Sequence, residues 1–262
     1  MAVASSVAGF RGEGWKGLWQ SLGPELGGAV VTYVLLDLVL GTRQRKESLV
    51  AKMGSHVRDE AIPAVEELRR EGWLTDGSLR GAFLAMADLR GAFLWYADME
   101  ASHLIAAWLR RAFLVDAKLK EAIFWRADLQ GATLAGADME RANLMSANLE
   151  GTSLKGANLR GAVLIDSNLD GATLEDANLE EAVVLGEQLG KAESLAGASL
   201  PDGTELSEDA WQAEFEEWRK KHRGRSEFVM EWTKKVRAEF EREFGYLLDK
   251  DEWGDWNGED DD

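Results

Sequence analysis

The chain has 262 residues, no cysteine and three histidines, and its formal net charge is −17. The lack of cysteine excludes disulfides, thiol catalysis and cysteine-bound zinc, and none of His56, His103 and His222 lies at a recognised metal-ligand spacing. We therefore predict no metal site and no cofactor.

The first element in chain order is an apolar stretch from Leu26 to Leu40, which only Asp37 interrupts. As a helix it would span about 22 Å, short of the roughly 30 Å of a bilayer core, and extension to about residue 22 brings it close to spanning length. The basic residues that follow predict that the rest of the chain faces the cytoplasm. We predict a lipid-contacting helix over about 22–40, within an amino-terminal segment 1–46. The predicted anchor comprises Leu26, Val30, Val31, Tyr33, Val34, Leu35, Leu36, Leu38, Val39, Leu40, Arg43, Arg45 and Lys46.

Residues 47–76 come next and carry a helical pattern, with Ala61, Ala64, Val65 and Leu68 at helical spacing. We predict that this segment is a helical cap. It would shield the core of the following domain from water and from edge-to-edge pairing with another molecule.

A five-residue repeat follows. Every fifth residue from Leu79 to Leu179 is Leu, Met or Phe, and two residues before each of them lies Ala, Gly, Ser or Thr. A period of five fits neither a helix nor a strand, so the backbone must turn a corner in each repeat. Repeats of this kind predict a solenoid, here over 77–204, whose coils bury their inward faces against one another.

The repeated motif is Ala, then Asp or Asn, then Leu, then two variable residues, as in Ala147-Asn148-Leu149-Glu150-Gly151. This motif resembles the pentapeptide-repeat family. The resemblance implies a mainly β fold, a right-handed quadrilateral β-helix with four pentapeptides per coil, and the residue patterns on either side of the repeats predict flanking α-helices. The segment from GAVVTYVLLDLVLG to RQRK also resembles the amino-terminal part of membrane-associated bacterial members.

Four pentapeptides per coil would stack residues 20 apart on one side, about 4.8 Å from each other. The charges agree with this stacking, because opposite charges in register stabilise paired strands. One column alternates in sign at every step: Glu100, Lys120, Glu140, Arg160 and Glu180. The adjacent column begins in the same way with Asp98, Lys118 and Asp138. We call these two columns the charge ladder.

Another predicted side carries apolar residues at its outward positions. We call this set the apolar strip, and it comprises Phe83, Ile105, Ile123, Trp125, Met145, Val163 and Ile165. The next-but-one side starts in the same way with Phe93, Trp95 and Phe113. A contiguous exposed apolar patch usually marks an interface. The sequence does not decide what covers the strip. The two alternatives are the chain's own carboxy-terminal helices and a protein partner.

Two helices are predicted in residues 205–248, as a hairpin with an apolar inner face. Its stripe comprises Trp211, Phe215, Trp218, Trp232, Val236, Phe240 and Phe244. The acidic tail at 249–262 is predicted to be disordered, since acidic segments poor in apolar residues rarely fold alone.

The sequence contains no Gly-rich phosphate loop, nucleophile elbow or zinc signature, so we expect no catalytic residue and no enzymatic activity. It favours a membrane-associated scaffold that faces the cytoplasm and binds a protein partner, with homo-oligomerisation left open and nucleic acid not expected as a ligand. Two alternatives stand beside it. One is a DNA-mimic inhibitor or protector of a type II topoisomerase, which the family resemblance implies and the acids between Asp166 and Glu181 favour. The other is an accessory subunit of a membrane complex.

Overall fold

The computed structural model describes residues 36–37, 39–222, 238 and 242, and the chain divides into two compact units, Met1–Ser48 and Leu49–Asp262. Residues 39–53 are helical and form α1. Leu36, Val39 and Leu40 are exposed in the first unit. Among the described residues, no helix is both long and apolar enough to cross a bilayer. Several predicted anchor residues lie outside the described residues: Leu26, Val30, Val31, Tyr33, Val34, Leu35 and Leu38.

The second unit contains a β-solenoid. Parallel β-bridges join residues that are 20 apart, from Phe83 with His103 to Val163 with Val183, and a new bridge occurs every five residues along the chain. These bridges are isolated and do not extend into longer strands. The backbone N–H of Phe124 donates to the carbonyl of Asn143 in the next coil at 2.7 Å. The predicted coil of four sides and 20 residues is confirmed.

Each corner of the coil contains a residue with positive φ. From Gly81 to Glu181, the second residue after each inward Leu, Met or Phe has φ between 51° and 68°. Many of these corner residues are not glycine, for example Ala106 and Arg126, although the left-handed region costs an L-residue about 1–2 kcal/mol. Hydrogen bonds between coils offset part of this cost, since Arg126 N–H donates to the carbonyl of Met145 at 3.1 Å.

The helix α2, Arg58–Arg70, covers the amino-terminal end of the solenoid. Its buried Ala61, Val65 and Leu68 belong to the same hydrophobic core as the inward leucines of the coils. The preceding and following loops also accept backbone hydrogen bonds from the first coil, such as Asp98 N–H to the carbonyl of Leu74 at 2.7 Å. The inward positions of the first coil are therefore buried, with Leu79 and Leu84 0% exposed and Ala82 8% exposed.

A short helix, α3 at Gly186–Leu189, interrupts the last coil. After it the bridges join residues 21 apart, as in Thr173 with Ser194, and an antiparallel bridge between Ser199 and Glu205 ends the β structure. The inward leucines continue through this interruption, because Leu189, Leu195 and Leu200 are all buried.

The helix α4, Trp211–Lys221, follows the solenoid and adds Phe215 and Trp218 to the core, with Trp211 packed against it. These three residues are the first part of the predicted hairpin stripe. The remaining stripe residues, Trp232, Val236, Phe240 and Phe244, and the acidic tail lie outside the described residues.

Candidate interaction surfaces

The four sides of the solenoid differ in chemistry. In chain order they carry the charge ladder, the apolar strip, a side rich in Asp and Asn, and a side that begins with Phe93 and Trp95. Since the apolar strip and the last of these sides are ten residues apart in a coil of 20, they lie on opposite sides of the solenoid.

The charge ladder forms ion pairs between coils. Lys120 Nζ lies 2.9 Å from Glu140 Oε2, Arg160 Nε lies 3.8 Å from Glu180, and Lys118 Nζ lies 3.6 Å from Asp98. Arg80 extends the ladder by one coil, with contacts to Asp98 at 2.9 Å and Glu100 at 3.1 Å. The hydrogen bond from Lys120 lowers the pKa of Glu140 and raises the pKa of Lys120. Exposed pairs of this kind contribute little each to stability.

The Asp- and Asn-rich side holds its acids in structural contacts. Asp88 and Asp128 are buried, and Arg90 binds Asp88 through two hydrogen bonds of 2.9 Å and 2.7 Å. Arg110 contacts Asp128, and Asn148 Nδ2 donates to the same carboxylate at 3.1 Å. The hydrogen bond that Arg90 donates to Asp88 raises the pKa of Arg90. Asp128 therefore joins neighbouring coils, whereas the Asp88–Arg90 pair lies within one coil. Among the described residues, no cluster of acids and histidines is arranged to hold a metal ion.

The acids near the carboxy-terminal end of the solenoid are also paired with bases. Lys155 Nζ lies 3.0 Å from Glu175 and 4.0 Å from Asp176, and Lys191 Nζ lies 3.4 Å from Asp170. Arg160 contacts both Glu180 and Glu181. The hydrogen bond from Lys155 lowers the pKa of Glu175. This group of acids is therefore partly neutralised.

The apolar strip is largely covered. Ile105, Met145 and Ile165 are 0% exposed and Trp125 is 1% exposed, although all four occupy outward positions. Ile123 and Val163 are half-buried against the same cluster. Phe83 differs from the other predicted strip residues, because it is 55% exposed and contacts His103 edge-on at a ring distance of 6.1 Å.

The opposite side presents an exposed aromatic cluster, which we call the aromatic patch: Phe93, Trp95 and Phe113. Phe93 and Phe113 stack at 5.0 Å across one coil step, and Trp95 meets them edge-on at 5.3 Å and 6.2 Å. Phe93 is 37% and Trp95 is 43% exposed. The guanidinium of Arg69 in α2 lies 5.3 Å from the Phe93 ring centroid. The predicted site residues did not include this patch; the signal for it is the 20-residue spacing of Phe93 and Phe113.

The repeats match a known family. A family model described as pentapeptide repeats matches the chain in eight copies, over residues 97–134, 123–161 and 142–180. Among curated proteins, no sequence matches the chain significantly.

Several solved structures are similar to the chain. A pentapeptide repeat protein from the cyanobacterium Cyanothece 51142 is 35% identical over 36% of this chain and 63% of its own length, with a TM-score of 0.33. A pentapeptide repeat protein from the Arabidopsis thaliana thylakoid lumen is 36% identical over 38% of this chain and 70% of its own, with a TM-score of 0.23. QnrB1, a plasmid-mediated fluoroquinolone resistance protein, is 20% identical over 52% of this chain and 79% of its own length, with a TM-score of 0.24. All three TM-scores are below 0.5.

Proposed function

Because this chain belongs to the pentapeptide-repeat family, we propose that it is a non-enzymatic protein-interaction module with a right-handed β-solenoid as its rigid body. The aromatic patch is its binding face. The observation that carries this assignment is the exposure of Phe93 and Trp95 on a solenoid whose other outward positions are mostly charged, polar or covered.

The chemistry of the patch suits a protein partner. Aromatic and arginine side chains are enriched at protein interfaces, where a few of them provide most of the binding free energy. Here three rings and the Arg69 guanidinium lie together at one end of the side. Further along it the outward residues become polar, with Thr133, Ser153 and Thr173. An apolar centre beside a polar border is the usual arrangement of such an interface.

The bridged coils also favour binding. The backbone under Phe93 and Phe113 is held by hydrogen bonds to neighbouring coils, for example Phe113 N–H to the carbonyl of Ala92 at 2.9 Å. A surface that is rigid before binding loses little conformational entropy when the complex forms. The rings therefore present nearly the same shape to a partner before and after association.

A pull-down from detergent-solubilised membranes tests the binding face. Trp95→Asp places a carboxylate in the aromatic patch, and Ala135→Asp places one at the equivalent outward position two coils along the same side. We expect the partner to be lost with Trp95→Asp and retained with Ala135→Asp, with both variants unfolding cooperatively as the wild type does. Equal recovery of the partner by both variants would show that the patch is not the binding face.

We further propose that the amino-terminal segment attaches the module to the cytoplasmic face of a membrane. The support is the apolar sequence of 26–40, the exposure of Leu36, Val39 and Leu40 at helical i, i+3, i+4 spacing, and the basic Arg43, Arg45 and Lys46 that follow. An apolar helix face beside basic residues binds anionic lipid surfaces. An integral membrane protein as the captured partner would identify the module as an accessory subunit of a membrane complex.

Co-sedimentation with vesicles of phosphatidylcholine and phosphatidylglycerol tests this attachment. The full chain should pellet with the vesicles, the double variant Leu36→Asp/Val39→Asp should pellet less, and Thr42→Asp in the same helix should pellet as the wild type does. A wild-type chain that stays in the supernatant would contradict attachment while leaving the pull-down result intact.

A topoisomerase-protecting DNA mimic is the second candidate. Its support is the concentration of acids between Asp166 and Glu181. The ion pairs of Lys155, Arg160 and Lys191 weaken it, because each of these bases lies within 4.0 Å of one or two of those acids. A mimic of duplex DNA needs a surface of largely unpaired negative charge.

A further inference from the structure

Arginines border the aromatic patch along the corner that separates it from the Asp- and Asn-rich side. The column nearest this corner carries, in chain order, Arg90, Arg110, Gln130, Glu150 and Asp170. In the corner column itself, Arg111 of the second coil stands among glycines. The rings stop at the same coil, because the column of Phe93 and Phe113 continues with Thr133. On these columns, basic and aromatic side chains are therefore confined to the same two coils.

The cap helix α2 adds two arginines at this end of the solenoid. Arg69 lies over the Phe93 ring, as described above. Arg58 donates from Nη2 to the carbonyl of Arg90 at 3.3 Å, and the same nitrogen would lie 3.8 Å from a Cβ added at Gly91. Both side chains therefore reach the corner beside the patch. We call the whole set the arginine border, and it comprises Arg58, Arg69, Arg90, Arg110 and Arg111.

The arginine border carries an excess of positive charge. Buried Asp88 and Asp128 pair with Arg90 and Arg110. The other three arginines are exposed, and none of them forms an ion pair with a residue in the described part of the chain. Five arginines and two paired carboxylates leave three positive charges in excess. This local charge is opposite in sign to the formal net charge of the chain, −17.

The other border of the patch has no such excess. Its corner residues in the same two coils are Tyr96, which is 60% exposed, and the exposed Asp116. Beyond this corner, the charge ladder holds Arg80 and Lys118 against Asp98. A bound segment therefore meets positive charge along one edge only, and this asymmetry favours a single orientation on the patch.

We propose that the aromatic patch binds a protein segment in which acidic side chains flank apolar ones. The apolar side chains lie on the rings, and the acidic side chains contact the arginine border. Arginine suits this contact, because its planar guanidinium binds a carboxylate through two parallel hydrogen bonds. Complementary charge at the edge of an interface also speeds association and rejects partners of the wrong charge. The proposal rests on the patch being the binding face, and it adds the chemistry of the partner.

The short length of the arginine border favours a protein segment over a nucleic acid strand. Arg90 and Arg110 are one coil step apart, about 4.8 Å, and Glu150 follows two steps later in the same column. A longer polyanion would meet like charge there. Nucleic acid binding depends on many phosphate contacts, whereas a few carboxylates beside apolar side chains match the length of the border.

Selection from a random dodecapeptide display library tests the charge of the partner segment. The bait is the full chain in mild detergent, and the Trp95→Asp chain identifies the peptides that need the patch. Among those peptides, we expect a several-fold excess of Asp and Glu over Lys and Arg relative to the starting library. Patch-dependent peptides without this acidic excess would overturn the proposal and leave the patch as the binding face. Enriched peptides that all bind Trp95→Asp equally well would overturn both.

Charge reversal at two matched corners tests the contact itself. Arg111 and Arg126 are both exposed corner residues, with φ of 56° and 58°, and native Glu121 adopts the same conformation at 59°. We expect Arg111→Glu to weaken the binding of a selected acidic peptide about tenfold, as measured by fluorescence anisotropy. Arg126→Glu, at the corner beside the apolar strip, changes the net charge equally and should leave the affinity unchanged.

Two further probes identify the charge that the border recognises. The same peptide with Gln in place of Asp and Glu should bind the Arg111→Glu and Arg126→Glu chains equally. Equal affinity of both chains for the acidic peptide would overturn the proposal. A short oligouridine that binds the wild type more tightly than the acidic peptide, and is lost from Arg111→Glu, would assign the border to nucleic acid and overturn the proposal as well.

Discussion

The indole N–H of Trp218 donates a hydrogen bond of 2.9 Å to the carboxylate of Asp202 and so joins α4 to the turn that ends the solenoid. His222 stacks on the same indole at 4.6 Å, and its Nε2 lies 3.4 Å from Asp202. Burial raises the pKa of Asp202, but hydrogen bonds from Thr204 and Trp218 outweigh it and hold the pKa below its ordinary value. Asp202 is therefore the polar contact that positions the end of α4.

We predict that Asp202→Ala loosens α4. The loss of a hydrogen bond to a charged acceptor costs about 1.5–3 kcal/mol and leaves the indole N–H without that acceptor. Hydrogen exchange of the α4 amides should speed up accordingly. Asp202→Asn keeps an oxygen acceptor in place and should retain most of the protection. Unchanged exchange in Asp202→Ala would mean that packing of Phe215 and Trp218 alone holds the helix.

We predict an acid-sensitive contribution from the charge ladder. Because Lys120 lowers the pKa of Glu140 below its ordinary 4.5, this pair stabilises the fold above that pH and its contribution is lost as the pH falls through the lowered pKa. Denaturant unfolding between about pH 6 and pH 3 should therefore show a steeper loss of stability for the wild type than for Lys120→Met. If the stability of the wild type and of Lys120→Met fell equally over this pH range, the Lys120–Glu140 pair would not contribute to the stability of the fold. Gln130→Met, on the next-but-one side, serves as the control for added apolar surface.

We predict that Gly151→Val destabilises the solenoid by about 1–2 kcal/mol, because φ is 60° at this corner and a β-branched residue resists the left-handed region. No atom lies within 4 Å of a Cβ added there, so the backbone conformation is the expected cause of the loss. Gly151→Asn should cost much less, since Asn tolerates this region. Equal midpoints of thermal unfolding for the two variants would contradict this explanation.

We predict that Ser102→Ala stabilises the protein by about 1 kcal/mol. The Ser102 hydroxyl is fully buried and has no hydrogen-bond partner within the described part of the chain, and a buried unsatisfied hydroxyl is unfavourable. Thr152→Val is the matched change, at the same position of the five-residue motif on the opposite side of the solenoid. It should destabilise, because the Thr152 hydroxyl donates to the carbonyl of Leu129 at 2.8 Å. Urea unfolding of both variants measures the difference.

We predict that DNA supercoiling by a type II topoisomerase is unaffected by an excess of this protein. The reason is the pairing of Glu175 and Asp170 with Lys155 and Lys191. The double variant Lys155→Gln/Lys191→Gln removes the bases that pair with these acids. Supercoiling in its presence should be compared with supercoiling in the presence of the wild type. Inhibition by the wild type at near-equimolar concentration would support the DNA-mimic alternative.

Much of the solenoid could be predicted from the sequence, because its period is carried by residue types. A large residue at Leu144 and a small one at Ala142 can recur every five positions only around a cornered coil, and the alternation of Lys120 with Glu140 indicated the 20-residue step. The corners themselves had no such signature. Arg126, Glu121 and Met86 adopt the same positive φ as glycine, since the cross-coil hydrogen bonds impose it.

The surfaces were harder to predict than the core. Phe83 and Trp125 belong to the same predicted strip, yet one is exposed and the other buried. Repeat spacing assigns a residue to a side and a direction, but it does not tell which outward positions another element covers. The aromatic patch was missed as a site for the same reason, because an uncovered apolar side and a covered one have the same pattern in sequence.

The helix α3 shows that one side of the solenoid can change its length without loss of register. Gly186–Leu189 adds a single residue to its coil, and yet Leu195 and Leu200 return to inward positions beyond it. A coil of this solenoid can therefore lengthen by one residue where the added turn returns a leucine to the core, as Leu189 does at 0% exposure.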